Sequence, residues 1–289
     1  MRLLSHEADG ESRLAVAVDA ENAIEVTELL ADGRWTMERL LADPLRSLDR
    51  IRVALDRVGQ AGARSMASLR LLPPVVRPGK IVAVGRNYRA HAAEEAAAVP
   101  EAPLLFAKLP SALIGDGATI TWSSSLTGQV DYEAELAVVV GTRARDVRAE
   151  DALEHVLGYT CLNDVSARDL QVGDGQWTRA KGLDTFCPMG PWLVTVDELS
   201  DPSDLRVRCR VNGEPRQDAS TTDLVHDVAE LIAYCSRSFT LEPGDVIATG
   251  TPGGVGAFRD PPVFLADGDV VEVEIERIGT LRNRCHVVP

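Results

Sequence analysis

The sequence predicts an α+β protein that is mainly β, with a mostly antiparallel or mixed sheet core and a few flanking helices. Three observations carry this. Beyond residue 80, short β-prone segments recur between turn signals such as Asn212-Gly213, Glu242-Pro243-Gly244-Asp245 and Ala266-Asp267-Gly268-Asp269. They do not alternate regularly with helices, which argues against a doubly wound sheet. The chain has 289 residues, 45% of them hydrophobic, with a mean hydropathy of −0.04. That is enough for one substantial core and a small accessory domain.

Residues 1–72 read as a small N-terminal α+β domain. Segments 13–18 and 23–26 predict short strands. Helices are expected over 36–41 and 45–59, the second with Leu48, Ile51, Val53, Ala54, Leu55 and Val58 near helical spacing. Leu72-Pro73-Pro74-Val75-Val76-Arg77-Pro78-Gly79 is the clearest punctuation in the chain, so a second, larger domain is expected over 73–289. Within it a strand at 80–84 leads through Gly85-Arg86-Asn87-Tyr88 into an Ala- and Glu-rich helix over 90–98. Further strands are expected near 104–107, 118–121, 135–141, 157–163, 191–196, 205–211, 245–249 and 270–276. Helices are expected over 149–157 and 222–238. No internal repeat or low-complexity tail is present.

Composition narrows the function. A net charge of −14 argues against nucleic acid as a partner, since phosphate binding needs basic clusters. No apolar run approaches the about 18 residues of a membrane span. The first residues turn polar at once, unlike a signal peptide. The five cysteines are scattered and never form C-x-x-C, which fits a reducing cytoplasm better than a disulfide framework or a thiolate zinc site. Of 30 basic residues only Lys80, Lys108 and Lys181 are lysines. A lysine inside a motif therefore stands out, because a compact ammonium differs chemically from a guanidinium.

The most informative segment is Val130-Asp131-Tyr132-Glu133-Ala134-Glu135-Leu136, running into Ala137-Val138-Val139-Val140. Along a strand, residues i and i+2 share a side, so Glu133 and Glu135 stand together at the entrance to an apolar strand. Two such carboxylates repel unless a cation lies between them. Asp164, near the end of the strand expected over 157–163, supplies a third. Three carboxylates on strand ends, without clustered His or Cys, describe a hard-cation site of the Mg²⁺, Mn²⁺ or Ca²⁺ type. Alone, the E-x-E reads more readily as a solvated strand face with Asp164 as a helix cap. The neighbouring motifs decide.

His91 and Glu94 stand at i and i+3 on one helical face, where the carboxylate can orient the imidazole and stabilise its charged form, making a base able to activate water. Arg168 and Gln171 follow Asp164 within a turn of the expected metal, and Arg168 suits bidentate grip of a carboxylate. Lys181 lies between aromatic residues and Gly182, placed to offset charge on an enolate or oxyanion. Thr249-Gly250-Thr251-Pro252-Gly253-Gly254-Val255-Gly256 lacks the Gly-Lys-Ser/Thr of a phosphate loop. It reads either as a close backbone approach to a small ligand, with the Thr251 hydroxyl, or as an ordinary connection.

In collinear order, these blocks closely resemble the fumarylacetoacetate hydrolase (FAH) family. They are Gly85-Arg86-Asn87-Tyr88-x-x-His91-x-x-Glu94, Phe106-Ala107-Lys108-Leu109-Pro110-Ser111, Asp131-Tyr132-Glu133-x-Glu135-Leu136, Asn163-Asp164-Val165-Ser166-Ala167-Arg168-Asp169-x-Gln171, Ala180-Lys181-Gly182-x-Asp184-Thr185 and Gly250-Thr251-Pro252-x-Gly254-Val255-Gly256. The resemblance runs from about Lys80 to the C-terminus. It implies an FAH-type mixed β-roll or β-sandwich core, a homodimer, and a divalent metal, usually Mg²⁺, held by Glu133, Glu135 and Asp164. His91, Glu94 and Lys181 are implied as catalytic, on a lid-like helix in the case of the first two. Arg86, Tyr88, Arg168, Gln171 and Thr251 are implied as substrate contacts. Animal fumarylacetoacetate hydrolases carry a further metal-ligating Asp just upstream of the catalytic His and a Tyr-rich pocket. Here that stretch is Val84-Gly85-Arg86-Asn87-Tyr88, which points to the short bacterial branch acting on varied 2-oxo acids.

The reading that follows is a metal-dependent enzyme of aromatic catabolism that hydrolyses a C–C bond in a small 2,4-dioxo acid of the acylpyruvate type. The alternative uses the same site to decarboxylate or tautomerise 2-oxo diacids such as 2-hydroxyhepta-2,4-diene-1,7-dioate or oxaloacetate. A non-catalytic metal-stabilised binding protein is the reading from another class, and the His91–Glu94 pair argues against it.

Overall fold

Alternating burial along the strand Ala134–Val140 shows how the molecule is layered. Every residue in it is buried. Leu136, Val138 and Val140 enter one core, while Ala137 and Val139 enter another. A strand covered on both faces reads as a continuous apolar run, as this one does. The computed structural model describes residues 1–289.

The strand lies within a twelve-stranded mixed sheet. Ten of its strands run in the order Arg64–Ser65, Asn22–Glu25, Glu11–Ala17, Arg2–Ala8, Cys187–Thr195, Val156–Asn163, Ala134–Val140, Val246–Ala248, Ile81–Gly85 and Leu104–Lys108, while Arg70–Leu72 pairs with Arg2–Ala8 and Leu113–Ile114 with Cys187–Thr195. Most pairs are antiparallel, whereas Val246–Ala248 and Ile81–Gly85 run parallel. A five-stranded sheet, ordered Glu214–Ser220, Arg206–Val211, Val270–Ile275, Gly279–Val288 and Thr119–Ser123, packs over one face. Val207, Cys209, Val271, Val273 and Leu281 there meet Leu136, Val138, Tyr159 and Cys161 of the large sheet. The opposite face is covered by the helices Met37–Leu41 and Pro44–Val58 through Met37, Leu40, Leu48 and Ile51. This is the mainly β α+β class the sequence predicts.

The large sheet runs across the punctuation at 72–79. Arg2–Ala8 pairs with Cys187–Thr195, with Arg2 opposite Val194, and Leu3, Leu14 and Val16 share a core with Ile81 and Val139. The Asn212-Gly213 hairpin forms, with φ of 55° and 81° at its two central residues, the combination a tight two-residue turn demands. Other bounds move. Residues expected as a helix over 149–157 form a 3₁₀ stretch, Ala149–His155, because Val156 already belongs to the next strand. The helix expected over 222–238 begins at Val228, where Asp227 and Glu230 form a reciprocal cap. The helix expected over 90–98 spans Arg89–Glu94.

Candidate active site

The pairing of two central strands builds the carboxylate cluster. Glu135 lies opposite Leu162, and Ala134 opposite Asn163. Beyond that pair the Asp164 N–H donates to the Glu133 carbonyl at 2.9 Å, and the Glu133 N–H donates to Asn163 Oδ1 at 3.0 Å. Same-side alternation then puts Glu133, Glu135 and Asp164 together, with one oxygen from each within 4.8 Å of the others. All three are buried, at 3%, 1% and 0% exposure.

Buried cations answer two of these charges. Lys181 Nζ donates to Glu133 Oε2 at 2.6 Å and to Asp164 Oδ2 at 2.8 Å. Lys108 Nζ donates to Asp164 Oδ1 at 2.5 Å and to the Lys181 carbonyl. Arg168 Nη2 lies 2.7 Å from Glu133 Oε1 and 2.9 Å from Asp131 Oδ2. Burial works against ionised Glu133, but Lys181 and Arg168 outweigh it and hold the carboxyl well below its ordinary range. Burial likewise opposes a charged Lys181, and Asp164 and Glu133 override it and raise the ammonium.

Glu135 forms no ion pair. It accepts only the Gly250 N–H, at 2.9 Å. Burial, then Asp164 and Glu133, push its carboxyl well above the ordinary range. A divalent cation among the three would relieve that repulsion, and an all-oxygen carboxylate set suits a hard one. The residues present therefore fit a divalent metal.

His91 faces the same narrow cleft, lined also by Arg86, Glu95, Gln171, Trp177 and Thr251. Its Nδ1 is 2.8 Å from Glu94 Oε1 and its Nε2 is 3.1 Å from Glu95 Oε1. The second Glu94 oxygen accepts the Gly254 N–H at 2.7 Å, tying the short helix to the glycine-rich loop. Burial pushes the imidazole down, but hydrogen bonds to Glu94 and Glu95 prevail and raise it to about 9. That direction favours the imidazolium, the charged form the Glu94 pairing was expected to stabilise.

The remaining expected residues fall into two groups. Gln171 and Arg86 line the cleft, with Gln171 accepting from Arg168 Nη1 at 3.0 Å. Thr251 also lines it, but its hydroxyl donates to the Ala134 carbonyl at 3.0 Å and accepts from Gln217 Nε2 at 2.8 Å. Tyr88 is not among the lining residues. It is 1% exposed, its backbone bridges Leu224, and its hydroxyl has no hydrogen-bond partner.

Sequence reasoning missed four contributors. Lys108 sits in a quoted motif but received no role. Glu95, at i+4 from His91, carried the same helical signal as Glu94. Asp131 accepts from Gly256 N at 2.8 Å and Ala257 N at 3.0 Å while pairing with Arg168, so it ties the glycine-rich loop to the cluster. Gln217 arrives from the five-stranded sheet to bond Ala134 N at 2.9 Å, and nothing in its local sequence announces that contact.

The comparisons place this fold and its buried carboxylate cluster in a family of enzymes. Residues 80–286 match the family model described as Fumarylacetoacetate (FAA) hydrolase C-terminal. The mitochondrial oxaloacetate tautomerase FAHD2A of Bos taurus is 45% identical over 251 residues, covering 86% of this chain and 79% of that protein. The structure of a fumarylacetoacetate hydrolase from Exiguobacterium antarcticum is 41% identical, with a TM-score of 0.83 and 100% of both chains covered. That of maleylpyruvate hydrolase from Sphingobium sp. SYK-6, in complex with manganese(II) and pyruvate, is 33% identical with a TM-score of 0.83, again over 100% of both chains. The chain belongs to the fumarylacetoacetate hydrolase family.

Proposed function

We propose that this protein interconverts the enol and keto forms of a small 2-oxo diacid of the oxaloacetate type, with Mg²⁺ as its metal. One observation carries the choice of reaction: both ring nitrogens of His91 rest on carboxylates, at 2.8 and 3.1 Å, an arrangement that favours a proton-donating ring over a base. Tautomerisation needs a proton delivered to carbon, whereas hydrolysis needs a base that first takes one from water. The 45% identity to a named oxaloacetate tautomerase supports the same choice.

Glu133, Glu135 and Asp164 would hold the metal, whose Lewis acidity stabilises negative charge on the 2-oxo oxygen. Lys181 adds a fixed positive charge beside it. In the enol-to-keto direction, His91 delivers its proton to carbon 3 and the enol hydroxyl releases its own to solvent. Glu94 and Glu95 then favour reprotonation of the imidazole, so the sum is an isomerisation with no proton gained or lost. Gln171 and Arg86 orient the substrate from the cleft wall.

Hydrolysis of an acylpyruvate is the second reading, favoured by the likeness to maleylpyruvate hydrolase. The deciding experiment follows the enol absorbance of freshly dissolved oxaloacetate with the Mg²⁺-loaded protein, beside an acylpyruvate panel. Enol decay faster than buffer, lost in His91→Ala, is expected. Acylpyruvate cleavage without enol decay would overturn the assignment. A cytoplasmic homodimer completes the proposal; the family resemblance supports the dimer, and five buried free cysteines suit a reducing compartment.

A further inference from the structure

We propose that Arg86 reads the distal carboxylate of the diacid and that Glu95 occupies Arg86 as an internal stand-in until a diacid displaces it. The inference rests on the 2-oxo diacid reading above.

The loop carrying Arg86 is built to aim it. Arg86 has φ of 57°, the left-handed region that costs a non-glycine residue energy and persists only where surroundings impose it. Asn87 imposes it: its Nδ2 donates to the Thr249 carbonyl at 2.7 Å and the His226 carbonyl at 3.0 Å, while its Oδ1 accepts the His226 N–H at 2.9 Å. On the other side a Cβ at Gly85 would lie 2.5 Å from the Trp177 ring, so only glycine lets that indole pack there. The Arg86 guanidinium sits 5.9 Å from the centre of the same ring. Strain, clamp and aromatic platform together hold one cation at the cleft wall.

Glu95 is what that cation meets. Its Oε2 accepts from Arg86 Nε at 2.6 Å, and its Oε1 faces His91 Nε2 at 3.1 Å. Of the carboxylates lining the cleft, Glu133 and Glu135 belong to the metal set, and Glu95 alone does not. It holds Arg86, the cation that a second substrate carboxylate would seek. Burial raises its carboxyl, but His91 and Arg86 outweigh burial and keep it ionised. Glu95 immediately follows the short helix, beside Ala96 in a left-handed conformation and outside any sheet. A monocarboxylic 2-oxo acid cannot displace it by charge exchange, whereas a dicarboxylic one can.

The test compares malate with lactate, which share a 2-hydroxy acid head and differ by the distal carboxylate. Affinities are measured by titration calorimetry on the Mg²⁺-loaded protein. Malate should bind more tightly than lactate. Glu95→Gln should tighten malate about fivefold, the scale set by removing a competing ion pair, and leave lactate unchanged. Arg86→Leu should make the two ligands equal, and adding Glu95→Gln to it should then gain nothing. Equal tightening of both ligands in Glu95→Gln, or a malate preference surviving Arg86→Leu, would overturn the proposal. If this pattern holds while oxaloacetate shows no enzyme-dependent tautomerisation, the subsite stands and the reaction assignment falls. Tautomerisation without a malate–lactate difference removes the subsite alone.

Discussion

Lys181 and Glu133, 48 residues apart in sequence, form a buried ion pair of 2.6 Å at the centre of the carboxylate cluster. The same ammonium reaches Asp164. One residue therefore ties the end of one strand to the end of its neighbour through side chains, beside the Asp164 N–H to Glu133 carbonyl bond.

Lys181→Met should consequently destabilise the protein as well as inactivate it. Removing one partner of a buried pair leaves the other charge uncompensated, at a cost of about 3–5 kcal/mol. Chemical denaturation of the metal-free protein measures this. A wild-type midpoint would show that Lys108 and Arg168 suffice. Lys181→Arg should not restore activity, since a planar fork cannot replace a compact ammonium between two carboxylates.

Glu135 makes metal-free stability depend on pH. Its folded carboxyl is raised above the unfolded value, so its contribution is intact below the ordinary Glu range, near ~4.3, and is lost as pH rises through the folded value. The melting temperature without metal should fall over that window, and added Mg²⁺ should raise it more at neutral than at acid pH. Glu135→Gln should flatten the first trend, remove the second and abolish turnover. Undiminished Mg²⁺ stabilisation of that variant would place the metal elsewhere.

For His91 the sign is that of a raised base. Its stabilising contribution is complete below the ordinary imidazole value of about 6.5 and is lost as pH rises through about 9. The proton-donating form disappears over the same range, so the tautomerisation rate should fall on its alkaline side near pH 9. His91→Ala should lower kcat by roughly 10²–10⁴, and Glu94→Gln by less. The C–C cleavage step of decarboxylation needs no attacking water, and the enolate it leaves can take its proton from solvent, so decarboxylation should survive His91→Ala better. An unchanged alkaline limb in His91→Ala would assign the titration to another group.

Light scattering should return twice the 31.1 kDa chain mass at micromolar concentration. A value of one chain mass would contradict the dimer.

The carboxylate cluster was legible because its signal is local: two carboxylates at i and i+2 entering an apolar strand, and an Asp where a neighbouring strand ends. The scarcity of lysine was a second usable cue, since Lys108 and Lys181 are both in the cluster and the third, Lys80, pairs with Asp245. The charge state of His91 was half legible. Glu94 was visible at i+3, but the weight of Glu95 depends on how a short helix end turns back toward Arg86. Gln217 was not legible at all, because sheet-on-sheet packing brings it to Thr251. The last strand, Gly279–Val288, alternates buried Leu281, Asn283 and Cys285 with exposed residues. A polar Asn sits where an apolar side chain would have announced the strand, its amide donating to the Gly115 and Ala118 carbonyls.

The pairing of Arg2–Ala8 with Cys187–Thr195 bears on synthesis at the ribosome. Arg2–Ala8 can form a hairpin with Glu11–Ala17 at once, but part of its other edge has no neighbour until the chain has reached Cys187–Thr195. Contacts so distant in sequence form late, and an open strand edge is a template for unwanted pairing. Arg70–Leu72 lies against part of that edge, from Ser5 to Glu7, and Arg2 and Leu3 are the residues left for the late partner. The pairing with Arg70–Leu72 thus covers most of that edge early and stays in the finished sheet, and only a two-residue gap waits for the centre of the sheet to arrive.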